Sequence, residues 1–116
     1  VIIGADRIAA NGDTANKIGS YSLSILSNFH KIPFYVAAPI DTFDLNITSG
    51  DKIKVEERSS KEVIRIGKLY ISHPDISAFH PAFDIVPNRL ITAIITEKGI
   101  IKNPNKTKIL NHLKNN

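Results

Sequence analysis

Two spacings of apolar residues alternate along the first forty positions. "VIIGA" (1–5) is a continuous β-branched run, which predicts a short strand covered on both faces. From Thr14 the period lengthens. Ala15, Ile18, Ser22, Ile25, Leu26 and Phe29 fall at helical spacing with polar residues between them, and Asp13 or Thr14 is placed to cap the helix they predict. His30 and Lys31 follow at its C-terminal end, where positive charge is favourable. "IPFYVAAP" is a second run of strand length, entered at Pro33 and left at Pro39. Strand, helix and strand in this order predict a right-handed βαβ unit with parallel strands.

The second half is less regular. "DKIKVEER" has room for a short strand, and "SSKEVIRIG" opens on a capping-box pattern, Ser59 to Glu62, that predicts a short helix. "KLYIS" reads as another short strand. "HPAFDIVPNRLI" reads as a Pro-punctuated loop and then one or two helical turns, with Pro87 suited to a first helical position and Asp84 bracing the helix that follows. "TAIITEKGII" predicts a further buried strand, ended at Glu97-Lys98-Gly99. These elements predict an α/β fold, a Rossmann-like three-layer sandwich with a mostly parallel sheet over residues 1–101. Residues 102–116 form a Lys/Asn-rich tail with a short helix around Ile109, Leu110 and Leu113.

Composition narrows the chemistry. The 116 residues carry no Cys, which excludes disulfides, thiolate metal sites and a cysteine nucleophile within this chain. They also carry no Met, and a chain beginning at Val1 reads as a processed or truncated piece of something longer. No apolar run approaches the roughly 18 residues of a membrane span. The net charge of +4 is local: four of the 15 basic side chains lie in 102–116, which holds no acid, so the rest balance at 11 against 11. No basic face interleaved with aromatics remains, so neither nucleic acid nor membrane is an expected partner.

In an open parallel sheet, ligands bind beyond the carboxyl ends of the strands. The first strand ends at Ala5-Asp6-Arg7 and the second at Ala38-Pro39-Ile40-Asp41-Thr42, which points to "GADRIAANGDTANK" as the place for chemistry. Lys17 in a first helical turn is at the wrong end for a cation. A bound phosphate or carboxylate explains it, and so does a solvated position or a pair with Asp13. Asp6 is a turn residue bonding nearby backbone N–H groups, or half of a local pair with Arg7, or a carboxylate whose partial burial would fit it for general acid–base work. The glycines form neither a G-x-G-x-x-G nor a Walker fingerprint. The four His show no metal-ligand spacing, Ser20, Ser22 and Ser24 have no His neighbour for a nucleophile, and Asp41 and Asp44 fit a turn after Pro39.

Five ordered blocks, "VIIGADRIAANGDTANKIGSYSLSIL", "KIPFYVAAPIDTFDL", "VEERSSKEV", "HPAFDIVP" and "LITAIITEKGII", resemble the C-terminal part of the methylthioribose-1-phosphate isomerase family. That family is similar to the alpha, beta and delta subunits of translation initiation factor 2B and to archaeal ribose-1,5-bisphosphate isomerase. The resemblance covers about residues 1–101, and Arg7 and "APIDTFDL" favour the methylthioribose branch. It implies an aldose–ketose isomerase of a sugar 1-phosphate in methionine salvage, with Asp6 as catalytic carboxylate and Asn16 and Lys17 on the sugar-phosphate substrate. It implies no cofactor, a homodimer and a cytoplasmic location. It also implies a preceding portion that supplies a Cys, an Arg-Gly-Ala loop, another Arg and a Gln, so that this chain carries half a site and shows no turnover alone. His80 stands where the family usually has Asn, and Val86 where it usually has Thr. A regulatory subunit of the factor 2B type and a decayed, inactive fragment are the competing readings.

Overall fold

The computed structural model describes residues 1–115. Strands β1 (Ile2–Ile3), β4 (Tyr35–Ala37), β9 (Ala93–Thr96) and β10 (Gly99–Lys102) make one sheet in the order β1-β4-β9-β10. Its first two pairings are parallel and the last is an antiparallel hairpin. Helix α1 (Ser20–Phe29) connects β1 to β4, so the expected βαβ unit is present. Strands β2 (Arg7–Ala9), β3 (Thr14–Lys17), β5 (Phe43–Asp44) and β8 (Phe83–Val86) make a second sheet, ordered β5-β2-β3-β8. There β5 runs parallel to β2 and the other pairings are antiparallel. The chain is an α/β protein of Rossmann-like layering whose first sheet is mostly parallel.

The register explains the core. Ile3, Val36, Ile94 and Ile101 share one row across the first sheet. They pack with Ile8 of β2, Val86 of β8, Leu90 and Ile91. A smaller cluster of Ala9, Ala15 and Ile53 lies apart from it, with Ile47 and Ile85 packed against it. The opposite row of the first sheet contains Ile2, Tyr35, Ala37, Ile95 and Ile100. Ile2 and Ile100 stand exposed there, so "VIIGA" is a strand covered on one face within this chain, not on both.

The helix read from Thr14 begins six residues later. Thr14–Lys17 is a strand because it pairs on both sides, with β2 and with β8. Asp13 and Thr14 therefore cap no α-helix. Gly19 sets the boundary at a φ of 105°, which side-chain-bearing residues rarely adopt. The face of α1 is also inverted. It buries Ser20, Ser24 and Ser27 and exposes Leu23, Ile25, Leu26 and Phe29. The buried hydroxyls are satisfied by donating to the carbonyls of Lys17, Tyr21 and Leu23.

Three further readings change. "DKIKVEER" holds a 3₁₀ turn, Gly50–Lys52, followed by extended chain without a strand of its own. "HPAFDIVP" contains β8, and Pro87 precedes the 3₁₀ turn Asn88–Leu90 with extended backbone instead of opening a helix. "TAIITEKGII" is two strands, since the turn at Glu97-Lys98 leads into β10. The short helix α2 (Lys61–Ile64) forms where expected, although Glu62 binds Arg58 and His80 in place of closing a capping box. "KLYIS" supplies β7 (Leu69–Tyr70), paired with β6 (Arg65–Ile66). Helix α3 (Lys106–Lys114) starts at Asn105, whose Oδ1 accepts from the Lys108 N–H at 2.8 Å, and it sends Ile109 fully into the main core. Among the described residues no helix is long and apolar enough to cross a membrane.

Candidate active site

The segment from Gly4 to Ser20 is a hairpin between a strand end and a helix start. Arg7 faces Ala15 in the β2–β3 register, and the Asp6 N–H donates to the Ala15 carbonyl at 2.8 Å. That bond sets Asp6, like Arg7, against Ala15, one residue short of Asn16. On its other side Asn16 pairs with Asp84 of β8, and Lys17 pairs with Phe83. Asp6, Asn16 and Lys17 thus lie near the same end of the β2–β3 hairpin, brought there by strand pairing and not by the loop-to-helix route read from the sequence. Asp6 and Lys17 are exposed, and Asn16 is half-buried. The burial that was to fit Asp6 for acid–base work is not supplied by this chain alone.

Lys17 lies at the end of β3, outside any helix. Nor does it pair with Asp13, whose carboxylate is engaged elsewhere. Asp13 accepts from the Gly50 N–H at 2.9 Å, the Asn88 N–H at 2.8 Å and the Asn11 amide at 3.0 Å. One carboxylate therefore caps two 3₁₀ turns, each at its first residue. Among the described residues no carboxylate comes within 4 Å of the Lys17 ammonium. Arg7 reaches Asp44 at 3.9 Å, an exposed pair of little energetic weight.

The start of α1 already holds an anion. Asp84 accepts from the Gly19 N–H at 2.8 Å and the Tyr21 N–H at 3.1 Å, so a carboxylate from β8 occupies the terminus expected to attract phosphate. Asp84 braces the start of α1, through N–H groups 65 and 63 positions before it, not the turn that follows it. Beside it, Asn16 Nδ2 donates to Ser20 Oγ at 2.9 Å, and Ser20 Oγ donates to the Lys17 carbonyl at 2.7 Å. Asp84 is not announced as a site residue by any local pattern because its partners lie across a distant strand pairing, and Ser20 is not because its bonds to Asn16 and Lys17 form only once Thr14–Lys17 is a strand. The Asp in "AFD", two positions before a Val-Pro strand end, was the available signal.

The strongest electrostatic feature lies on another segment. Glu62 accepts two bonds from Arg58, at 2.8 and 2.9 Å, and meets His80 Nε2 at 3.0 Å. Those hydrogen bonds, Arg58 first, pull its carboxyl down to about 2, and the same contact raises the Arg58 guanidinium. The cluster ties the base of an excursion between Arg58 and His80, where the Arg58 N–H also donates to the His80 carbonyl at 2.6 Å.

A family model described as the Initiation factor 2 subunit family matches residues 1–103. The chain belongs to that family. Within it, the chain is 56% identical over 109 residues to a methylthioribose-1-phosphate isomerase of Carboxydothermus hydrogenoformans, covering 94% of this chain and 32% of that protein. It is 62% identical over 104 residues to one of Syntrophomonas wolfei, covering 90% and 30%. Among solved structures of the family it matches 5-methylthioribose 1-phosphate isomerase from Pyrococcus horikoshii with a TM-score of 0.92 and 44% identity, over 99% of this chain and 32% of that one. It also matches translation initiation factor eIF-2B, subunit delta, from A. fulgidus, with a TM-score of 0.83 and 44% identity, over 95% and 33%. The chain spans about a third of the length of the relatives it matches, and the resemblance drawn from its five blocks is borne out.

Proposed function

We propose that this chain contributes the Asp6, Asn16 and Lys17 half of an aldose–ketose isomerase site, which converts 5-methylthioribose 1-phosphate to 5-methylthioribulose 1-phosphate in the methionine-salvage chemistry of the cytoplasm. The observation that carries the reading is the β2–β3 hairpin, whose end bonds Asp6 to the residue before Asn16 and Lys17, with no carboxylate within 4 Å of the Lys17 ammonium among the described residues. Phosphate on the anomeric oxygen locks the sugar ring, so no aldehyde is free to enolise. Asp6 protonates the ring oxygen, a task for a carboxylic acid shielded from water. Lys17 takes the phosphate and Asn16 the sugar. The shielding, the Cys and the remaining phosphate grip come from the portion of the family fold that this chain does not span, and the working unit is a homodimer. The test joins this chain to that portion. Asp6→Asn is expected to lower kcat at least 100-fold, Lys17→Ala to raise KM, and the chain by itself to show no turnover. Wild-type rates in Asp6→Asn would sink the assignment.

A second reading is favoured by one observation: the match to the A. fulgidus factor subunit is as high in identity as the match to the isomerase structure. On that reading the chain belongs to a non-catalytic regulatory subunit. The joined protein would then pair with a partner subunit and isomerise nothing, whatever stands at position 6.

A further inference from the structure

Ser20 is buried at the start of α1, and its hydroxyl stands between two site residues. A hydroxyl has one proton. That proton is committed to the Lys17 carbonyl at 2.7 Å, so toward Asn16 the oxygen can only accept. The Asn16 atom 2.9 Å away must therefore be the amide nitrogen, and the amide has one orientation. The hydroxyl cannot drift, because Asp84 holds the N–H groups of Gly19 and Tyr21 on either side of it. From this chain of donors, and resting on the site reading above, we infer that Ser20 is a positioning residue: it spends one Asn16 N–H and leaves Oδ1 as the acceptor for a hydroxyl of the sugar.

The consequence is a division of labour. An amide carbonyl oxygen accepts from a hydroxyl and repels a phosphate oxygen, which at neutral pH has little proton to offer. The ammonium of Lys17 suits the phosphate and gives no discrimination among sugars. The Asp6 N–H bonds the carbonyl of the residue before Asn16, and on the site reading above the amide and the carboxyl address sugar oxygens while Lys17 addresses the phosphate. Specificity for a sugar phosphate over phosphate itself then depends on Ser20, a residue that touches neither.

Two measurements test this. In the chain as it stands, side-chain amide NMR is expected to show one Asn16 Nδ2 proton exchanging at least tenfold more slowly than its geminal partner. Ser20→Ala abolishes the difference and Ser20→Thr, which keeps the hydroxyl, restores it. Unchanged Asn16 protons in a folded Ser20→Ala chain overturn the inference. In the protein joined to the portion this chain lacks, Ser20→Ala is expected to lower kcat/KM for the sugar phosphate roughly tenfold. Competitive inhibition by inorganic phosphate stays unchanged, and Ser20→Thr recovers the rate. Equal weakening toward both ligands overturns the division of labour. The site reading fails separately, if Lys17→Ala leaves inorganic phosphate inhibition at its wild-type value.

Discussion

At the scale of single residues, the carboxylates divide into exposed and committed ones. Asp13 holds two backbone N–H groups that belong to different 3₁₀ turns. Asp13→Ala leaves both without a partner, and a loss of about 2–4 kcal/mol in urea unfolding is expected. Gly50 is built around the same contact, since a Cβ there would stand 2.5 Å from Ile85 Cγ2 and 2.9 Å from Asp13 Cβ. Glu62 makes a pH prediction. Its carboxyl falls from the ordinary 4.5 to about 2 in the folded chain, so the stabilisation is complete above 4.5 and is lost as pH falls from 4.5 toward 2. Carboxyl NMR is expected to place the Glu62 midpoint near 2 and Arg58→Ala to raise it, because Arg58 is the larger cause; a midpoint near 4.5 in the wild type removes the claim. Asp6, Asn16 and Lys17 were singled out through the family resemblance; position and charge alone left Asp6 and Lys17 open. The roles of Asp13 and Asp84 were not legible in the sequence, since their partners lie up to 75 positions away, and Ser20 was hidden because its local bonds depend on Thr14–Lys17 being a strand rather than the start of the helix.

At the scale of elements, runs that are apolar throughout were easy to read and patterns mixing small polar residues were not. "IPFYVAAP" and "TAIIT" became β4 and β9 because a parallel sheet asks only for continuous apolar chain. "TANK" became a strand against its helical spacing because β2 and β8 both pair with it, and pairing outweighs propensity. In α1 the small serines take the buried face, and the large apolar side chains then face outward. The inversion has a test in the isolated chain. Ser24 is fully buried, so Ser24→Val overpacks its contact and removes the second bond to the Tyr21 carbonyl; a loss of about 1–3 kcal/mol is expected in thermal or urea unfolding. Phe29 is 77% exposed, and Phe29→Ser is expected to stay within about 0.5 kcal/mol of wild type. The conventional amphipathic arrangement demands the reverse order of these two effects.

At the scale of the molecule, the chain is drawn out. A compact domain of this length has a radius of gyration of about 13 Å, whereas this one measures 16.6 Å with extents of 54 × 33 × 22 Å. The excess length goes with bare apolar surface. Phe29 lies on α1, Ile100 on the open row of the first sheet, and Ile66, Leu69 and Phe79 on the excursion between Arg58 and His80, with Phe79 84% exposed. Such surface is unusual for a body that stands alone in water, where contiguous apolar patches beyond a few hundred Å² mark contact sites. The isolated chain is therefore expected to self-associate at micromolar concentration in sedimentation velocity. Because the side chains responsible are outside the core, replacing Phe29, Ile66 and Phe79 together by Lys should leave the circular dichroism and the unfolding midpoint nearly unchanged while the sedimentation coefficient falls to that of a monomer. A wild-type chain that sediments as a monomer across that range contradicts this account of its surface.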